Sequence, residues 1–137
     1  MDIRQIQNDH EVLLARMAAL RHLADGAMAK DDAIATVAGI AALGATLQLH
    51  LAIEDHLLYP ALTRANDAEI ASAGRHFQQE MGGLSDAYAA FTGRWRAADD
   101  IAAAPERFRR DLHAILDALE ARIAREHATL LPLAATL

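Results

Sequence analysis

The chain has 137 residues, 53% of them hydrophobic, which predicts one globular domain, residues 1–137, with a sizeable core. Its formal net charge of -6 argues against the basic surface that a phosphate backbone requires, so we expect no nucleic-acid partner. The chain contains no cysteine, which excludes thiolate metal sites and disulfides and fits a cytoplasmic location. Any metal must therefore be bound by imidazole and carboxylate.

Helix is predicted throughout the chain, because prolines and aromatic residues are few and no window alternates with the two-residue period of a strand. Apolar periodicity and capping signals place four helices at about residues 2–24, 31–59, 67–96 and 105–131. The second and fourth are expected to stop before Pro60 and Pro132. Four such helices with short loops predict an all-α, up-down-up-down four-helix bundle.

One stretch is long enough to cross a bilayer, because the 21 residues from Ala33 to Ile53 contain no Asp, Glu, Lys or Arg. Its content is mostly Ala, Gly and Thr, whereas inserted helices are usually rich in Leu, Ile, Phe and Val. We therefore expect a buried bundle helix and no membrane span.

Every predicted helix carries ionisable residues on its apolar stripe. In an antiparallel bundle these residues all fall about 9 to 20 Å from the same end, at ~1.5 Å per residue. Buried charges without partners are costly, and His and Glu at positions i and i+4 project side by side and can bind one ion or bridge two. Imidazole and carboxylate suit iron, manganese or zinc. The candidate ligands are His10, His50, Glu54, His76, Glu80 and Glu126.

These residues resemble the hemerythrin-like (HHE cation-binding) family. The matching segments are QNDHEVL around His10, the His-x-x-x-Glu of His50 and Glu54 followed by Tyr59 and Pro60, GRHFQQE around His76, and Glu126 before Leu-Leu-Pro. The resemblance implies a four-helix bundle with a non-haem diiron centre that binds dioxygen, nitric oxide or peroxide, or serves in iron sensing. It implies His10, His50 and His76 as terminal ligands and Glu54 and Glu126 as bridging carboxylates.

Two positions depart from the family pattern, since Glu80 and Arg122 stand where the family usually has histidine. Glu80 can still ligate a metal, but arginine has no lone pair to offer and carries a permanent charge. Three states remain open: a dinuclear site of altered coordination, a mononuclear site for iron or another divalent metal, and a scaffold whose polar layer is a salt-bridge network.

The expected function is that of a metal-binding or sensor protein more than of a turnover enzyme, because no separate nucleophile or base pair accompanies the ligands. The alternative is a metal-free or degenerate-site bundle that acts as an interaction module or a homodimer, through the uncharged second helix. The remaining histidines, His22, His56, His113 and His127, are assigned surface or supporting roles.

Overall fold

The structure, a computed structural model, describes residues 1–137 and contains helices and no strand. The chain forms five helices, of which the fourth is short: α1 (Arg4–Asp25), α2 (Lys30–Thr63), α3 (Ala68–Arg94), α4 (Ala98–Ala103) and α5 (residues 105–135). The all-α bundle is confirmed. The short helix α4, which lies between α3 and α5, was not predicted, and its buried Ile101 packs into the apolar core.

Residues that favour a helix start stand at the beginning of α3 and of α5. The Asp67 carboxylate accepts hydrogen bonds from the backbone N–H groups of Glu69 (2.8 Å) and Ile70 (3.4 Å), which satisfies two donors that a helix start leaves free. Pro105 occupies the first turn of α5, where its missing N–H costs nothing. Short-range signals of this kind fix where α3 and α5 begin.

The prediction that α2 and α5 end before their prolines is wrong, because each helix continues through a π-turn. In α2 the π-turn is Glu54–Leu58, and the N–H of Tyr59 bonds to the carbonyl of Glu54. In α5 it is Glu126–Leu130, followed by a last α-helical segment, Leu131–Ala135. A proline disrupts regular α-helical hydrogen bonding, and a π-turn directly before it lets the helix continue. Both π-turns begin at a candidate ligand.

Two apolar clusters form the core, and polar residues separate them. The larger cluster has 19 buried residues and includes Leu13 of α1 and Leu47 of α2. The smaller one has eight and includes Ile6 of α1 and Leu58 of α2. Along both helices the sequence between these clusters supplies buried polar residues, among them His10. The candidate site is therefore a polar layer inside the bundle.

Helix α3 presents a different stripe from the predicted one. The predicted stripe ran through Ile70, Ala73, His76 or Phe77, Glu80, Leu84 and Ala87, whereas the buried residues are Ala71, Gly74, Phe77, Met81, Tyr88 and Phe91. The large apolar surfaces of Phe77, Tyr88 and Phe91 determine the rotation of the helix, since burying aromatic rings stabilises more than burying alanine. His76 and Glu80 are consequently turned outward.

By length and composition α2 is apolar enough to cross a membrane. Only 28% of its most apolar window is buried, so this helix also has an apolar outer face, on which Leu49 is 67% exposed. Its inner face carries His50 and Glu54 into the polar layer. A core helix and a membrane span both meet the same criterion of length and composition.

Candidate metal centre

Two histidines from neighbouring helices meet at the centre of the polar layer. His10 of α1 and His50 of α2 are 0% and 4% exposed, and their Nε2 atoms lie 3.1 Å apart. Both positions lie on the predicted stripes of their helices, in line with Leu13 and Leu47 respectively. Imidazole nitrogen is a common metal ligand in proteins, so two imidazole nitrogens this close together indicate a possible metal site.

Two glutamates complete this group. The Glu54 Oε1 atom lies 2.8 Å from His50 Nε2, and the Glu126 Oε2 atom lies 3.1 Å from His10 Nε2. Both carboxylates are 1% exposed. One ligating atom from each of the four residues lies within 4.8 Å of the other three. The structure thus brings together His10, His50, Glu54 and Glu126 from α1, α2 and α5.

The outer nitrogen of each imidazole also has a partner. His10 Nδ1 lies 2.9 Å from His127 Nε2, and His50 Nδ1 lies 3.5 Å from Asp9 Oδ2. Such contacts fix which ring nitrogen is free to bind a metal. From the sequence, His127 was expected to have only a general supporting role, and Asp9 was not singled out. Asp9 directly precedes His10, and His127 directly follows Glu126. This adjacency to candidate ligands was the signal that could have identified both residues.

The two buried carboxylates have opposite pKa shifts. Burial and the negative charge of Glu126 raise the pKa of Glu54 to about 7, against the effect of its contact with His50. The pKa of Glu126 is lowered despite its burial, because His10, Glu54 and Arg122 favour its charged form. The pKa of His50 is raised, since its contacts with Glu54 outweigh its burial. Without a metal, Glu54 and His50 therefore both hold a proton more tightly than the free side chains do.

The group has the chemistry of a site for one divalent cation. Glu54 Oε2 and Glu126 Oε1 are buried without any hydrogen-bond partner, and such orphaned oxygens are rare and costly in folded proteins. Two imidazoles and two carboxylates suit iron, manganese or zinc. Four donors meet the needs of one ion, and α3 contributes no donor with which to hold a second.

Arg122 is buried beside the four residues, one helical turn before Glu126. It is 4% exposed, and its Nη2 group donates to the Tyr59 hydroxyl (3.0 Å) and to the Phe77 carbonyl (2.7 Å). Its Nε atom lies 3.5 Å from Glu126 Oε1, and its guanidinium carbon lies 4.6 Å from the Phe77 ring centroid. Burial and the nearby carboxylates raise the pKa of Tyr59, which keeps this phenol neutral. Arg122 thus places a fixed positive charge against the candidate ligands.

The other two predicted ligands lie outside this group. The side chains of His76 and Glu80 are 67% and 36% exposed, and they contact each other at 3.2 Å. Arg125 donates two hydrogen bonds of 2.8 Å to the Glu80 carboxylate. Because Phe77 takes the buried position of this turn, the histidine and the glutamate form part of a surface ion-pair network.

Comparison with known proteins gives one match. The family model of the hemerythrin HHE cation binding domain matches residues 1–134. Searches of the curated proteins and of the solved structures found no significant match.

Proposed function

Because the chain belongs to the hemerythrin HHE cation-binding domain family, we propose that it binds one non-haem iron ion through His10, His50, Glu54 and Glu126. The observation that carries this proposal is the convergence of four buried ligating atoms within 4.8 Å of one another. The ligand set is smaller than the one expected from the sequence, since His76 and Glu80 point to the protein surface.

Charge supports a divalent ion in this place. In the deprotonated state that metal binding requires, with neutral imidazoles, two ionised glutamates and Arg122 leave one net negative charge in a buried layer, where an unbalanced charge is costly. Metal binding displaces the proton of Glu54 and provides a partner for both orphaned carboxylate oxygens. The contacts of the imidazoles with His127 and Asp9 hold the rings in place for this role.

The function that we propose for the bound ion is the binding or sensing of a small ligand, such as dioxygen, nitric oxide or peroxide, or of iron itself. Iron supplies an open coordination position for such a ligand. The protein supplies a dry surrounding, because Leu13, Met17, Leu43 and Leu47 are all at most 5% exposed. We favour binding over turnover, as the buried layer offers no nucleophile other than the ligands themselves.

Metal titration of the protein tests this function. Protein freed of metal with a chelator is titrated anaerobically with Fe²⁺, Mn²⁺ and Zn²⁺, and the bound metal is measured by elemental analysis. We expect one iron per chain, lost in His50→Ala and in Glu54→Gln. The matched control is His76→Ala, which removes an exposed histidine and should leave the iron content unchanged.

Two results would contradict the proposal. A wild-type protein that binds no divalent ion, and is stabilised by none, would favour the metal-free interaction module instead. A loss of iron in His76→Ala would return His76 to the ligand set and point to a dinuclear site.

A further inference from the structure

The outer face of α2 is an exposed surface that carries no charge. The 13 basic and 19 acidic residues of the chain all lie outside the stretch from Ala33 to Ile53, and only 28% of the most apolar window of this helix is buried. Ile34 and Leu49 are 51% and 67% exposed, so two large apolar side chains stand on this face. Monomeric soluble proteins rarely expose a continuous apolar surface, and such a surface marks an interaction site.

A groove of about 480 Å³ runs beside this face, between α2 and α3. None of its 12 lining residues is charged, and on the α3 side they include Ser85, Ala89, Thr92 and Gly93. Tyr88 lines the buried part of the groove, and its hydroxyl donates a 2.7 Å hydrogen bond to the Ile40 carbonyl of α2. This bond ties the two helices together below the groove, which is therefore already formed in the single chain.

Leu49 stands beside the groove as a ridge. Gln48 lines the groove, and each residue of an α-helix is turned by about 100° from the one before it, so Leu49 projects from the neighbouring strip of α2. A two-fold axis along the helices places Leu49 of each copy over the groove of the other. Ridge and groove are thus self-complementary, as the interface of a symmetric dimer requires.

We propose that this surface is the interface of a homodimer, in which Leu49 of each copy packs into the α2–α3 groove of the other. The stretch from Ala33 to Ile53 is ~31 Å long, and two packed helices are about 20 Å wide. Pairing two such faces buries roughly 1,000 Å² in total, which is about the area that a specific interface needs. The charged side chains of both copies stay in water, so no charge has to be desolvated.

Other occupants fit this surface less well. Helices that lie on membranes expose Trp, Phe or Leu beside Lys and Arg, whereas this face consists mainly of alanine and has no charge. A charged partner finds no opposite charge here. A second copy supplies an uncharged surface of the same size together with the side chain that enters the groove. The dimer uses none of the candidate ligands, so the inference goes beyond the proposed function and can be tested without metal.

Sedimentation equilibrium at low and high salt measures the Kd of the dimer. We expect wild type to be dimeric at about 100 μM. Association should tighten with salt, because each copy has a net charge of -6 and salt screens this repulsion. Leu49→Gln should raise the Kd by about 10- to 100-fold, since every dimer loses two buried leucines. Ala45→Lys, in the groove, should abolish the dimer although it lowers the net charge.

Matched controls make the same substitutions on another helix. Leu14→Gln and Ala18→Lys change exposed residues of α1 that share a stripe with Arg21, which contacts Glu120 of α5. Both should leave the Kd within about twofold of wild type, because their stripe faces away from α2. Circular dichroism of all four variants checks that each is folded, and Leu49→Gln remains decisive if Ala45→Lys is not.

Several results would overturn the inference. A wild type that stays monomeric at about 100 μM in high salt has no such dimer. An equal effect of Leu49→Gln and Leu14→Gln would refute the role of this surface, and a dimer that weakens with salt would be held by charges elsewhere. A monomeric wild type that sediments with phosphatidylcholine vesicles would show that lipid, and not a second copy, covers α2.

Discussion

Replacing Gly74 with alanine should destabilise the protein, although alanine favours helices. A Cβ atom at position 74 would lie 2.7 Å from Leu62 Cβ and 3.5 Å from the Thr63 backbone nitrogen. Leu62 is 0% exposed, and its Cβ is fixed to the backbone, so it cannot rotate away. Inserting a methyl group into a filled core costs about 1–3 kcal/mol. The end of α2 and the beginning of α3 would have to separate.

Gly82→Ala provides the matched control for this prediction. Gly82 lies in the same helix, and a Cβ there meets no atom within 4 Å. Both substitutions gain the same helix propensity, ~1 kcal/mol, so the difference between the two variants isolates the steric cost. Gly82→Ala should be more stable than wild type, and Gly74→Ala should lie about 1–3 kcal/mol below Gly82→Ala.

Urea unfolding followed by far-ultraviolet circular dichroism measures these free energies, since the signal reports loss of helix. Leu62 lies less than one helical turn after Tyr59, whose hydroxyl accepts a hydrogen bond from Arg122. A displacement of Leu62 by Gly74→Ala should therefore also weaken this hydrogen bond. Equal stabilisation by the two substitutions would refute the close approach of α2 and α3 on which this reasoning depends.

Two further predictions concern the metal-free protein and the orientation of a ligand. Burial raises the pKa of Glu54 from 4.5 to about 7, so the folded state binds this proton more tightly than the unfolded state does. The contribution of Glu54 to stability is therefore fully present below pH 4.5 and falls by roughly 3 kcal/mol as the pH rises to about 7. The raised pKa of His50 acts in the same direction. The lowered pKa of Glu126 acts in the opposite direction, but only below its ordinary value of 4.5. Urea unfolding at a series of pH values should show this decline in wild type and a much smaller one in Glu54→Gln; equal declines would count against it. His127→Ala removes the 2.9 Å contact to His10 and should weaken iron binding about 10- to 100-fold in a competition with a chelator, whereas His56→Ala, an exposed histidine of the other π-turn, should have no effect.

The sequence was sufficient to predict the all-α bundle and most of the inner faces of α1, α2 and α5. In α1 and α5 the apolar residues recur without competing choices, so His10 and Glu126 could be placed on the inner face, and both are buried. His50 and Glu54 were found in the same way. The burial of these four residues was predictable because each of them stood in line with leucines and isoleucines one turn away.

The rotation of α3 and the ends of α2 and α5 could not be obtained in this way. His76 and Phe77 are adjacent, so periodicity left two rotations of α3 about 100° apart, and packing of the aromatic residues decided between them. In a π-turn each backbone N–H bonds to the carbonyl five residues before it and not four, and a segment as short as Tyr59–Thr63 has too few apolar residues to show the resulting shift of the hydrophobic pattern. Judged from the local sequence, each proline indicates a helix end. Leu62 and Ala134 lie beyond the prolines and are fully buried, and this burial stabilises the continued α2 and α5.

The π-turns also divide each of these helices into two parts that can vary separately. One extra residue per turn rotates everything that follows by roughly 100° relative to a regular helix. In α2, His50 precedes the π-turn and Glu54 begins it. Tyr59, whose hydroxyl accepts a hydrogen bond from Arg122, follows the π-turn. Loss of a single residue within the π-turn would leave the ligand pair in place and swing Tyr59 away from the arginine. A one-residue deletion would thus separate the ligand pair from the residue that supports Arg122, and relatives of different segment length are where such a separation is to be sought.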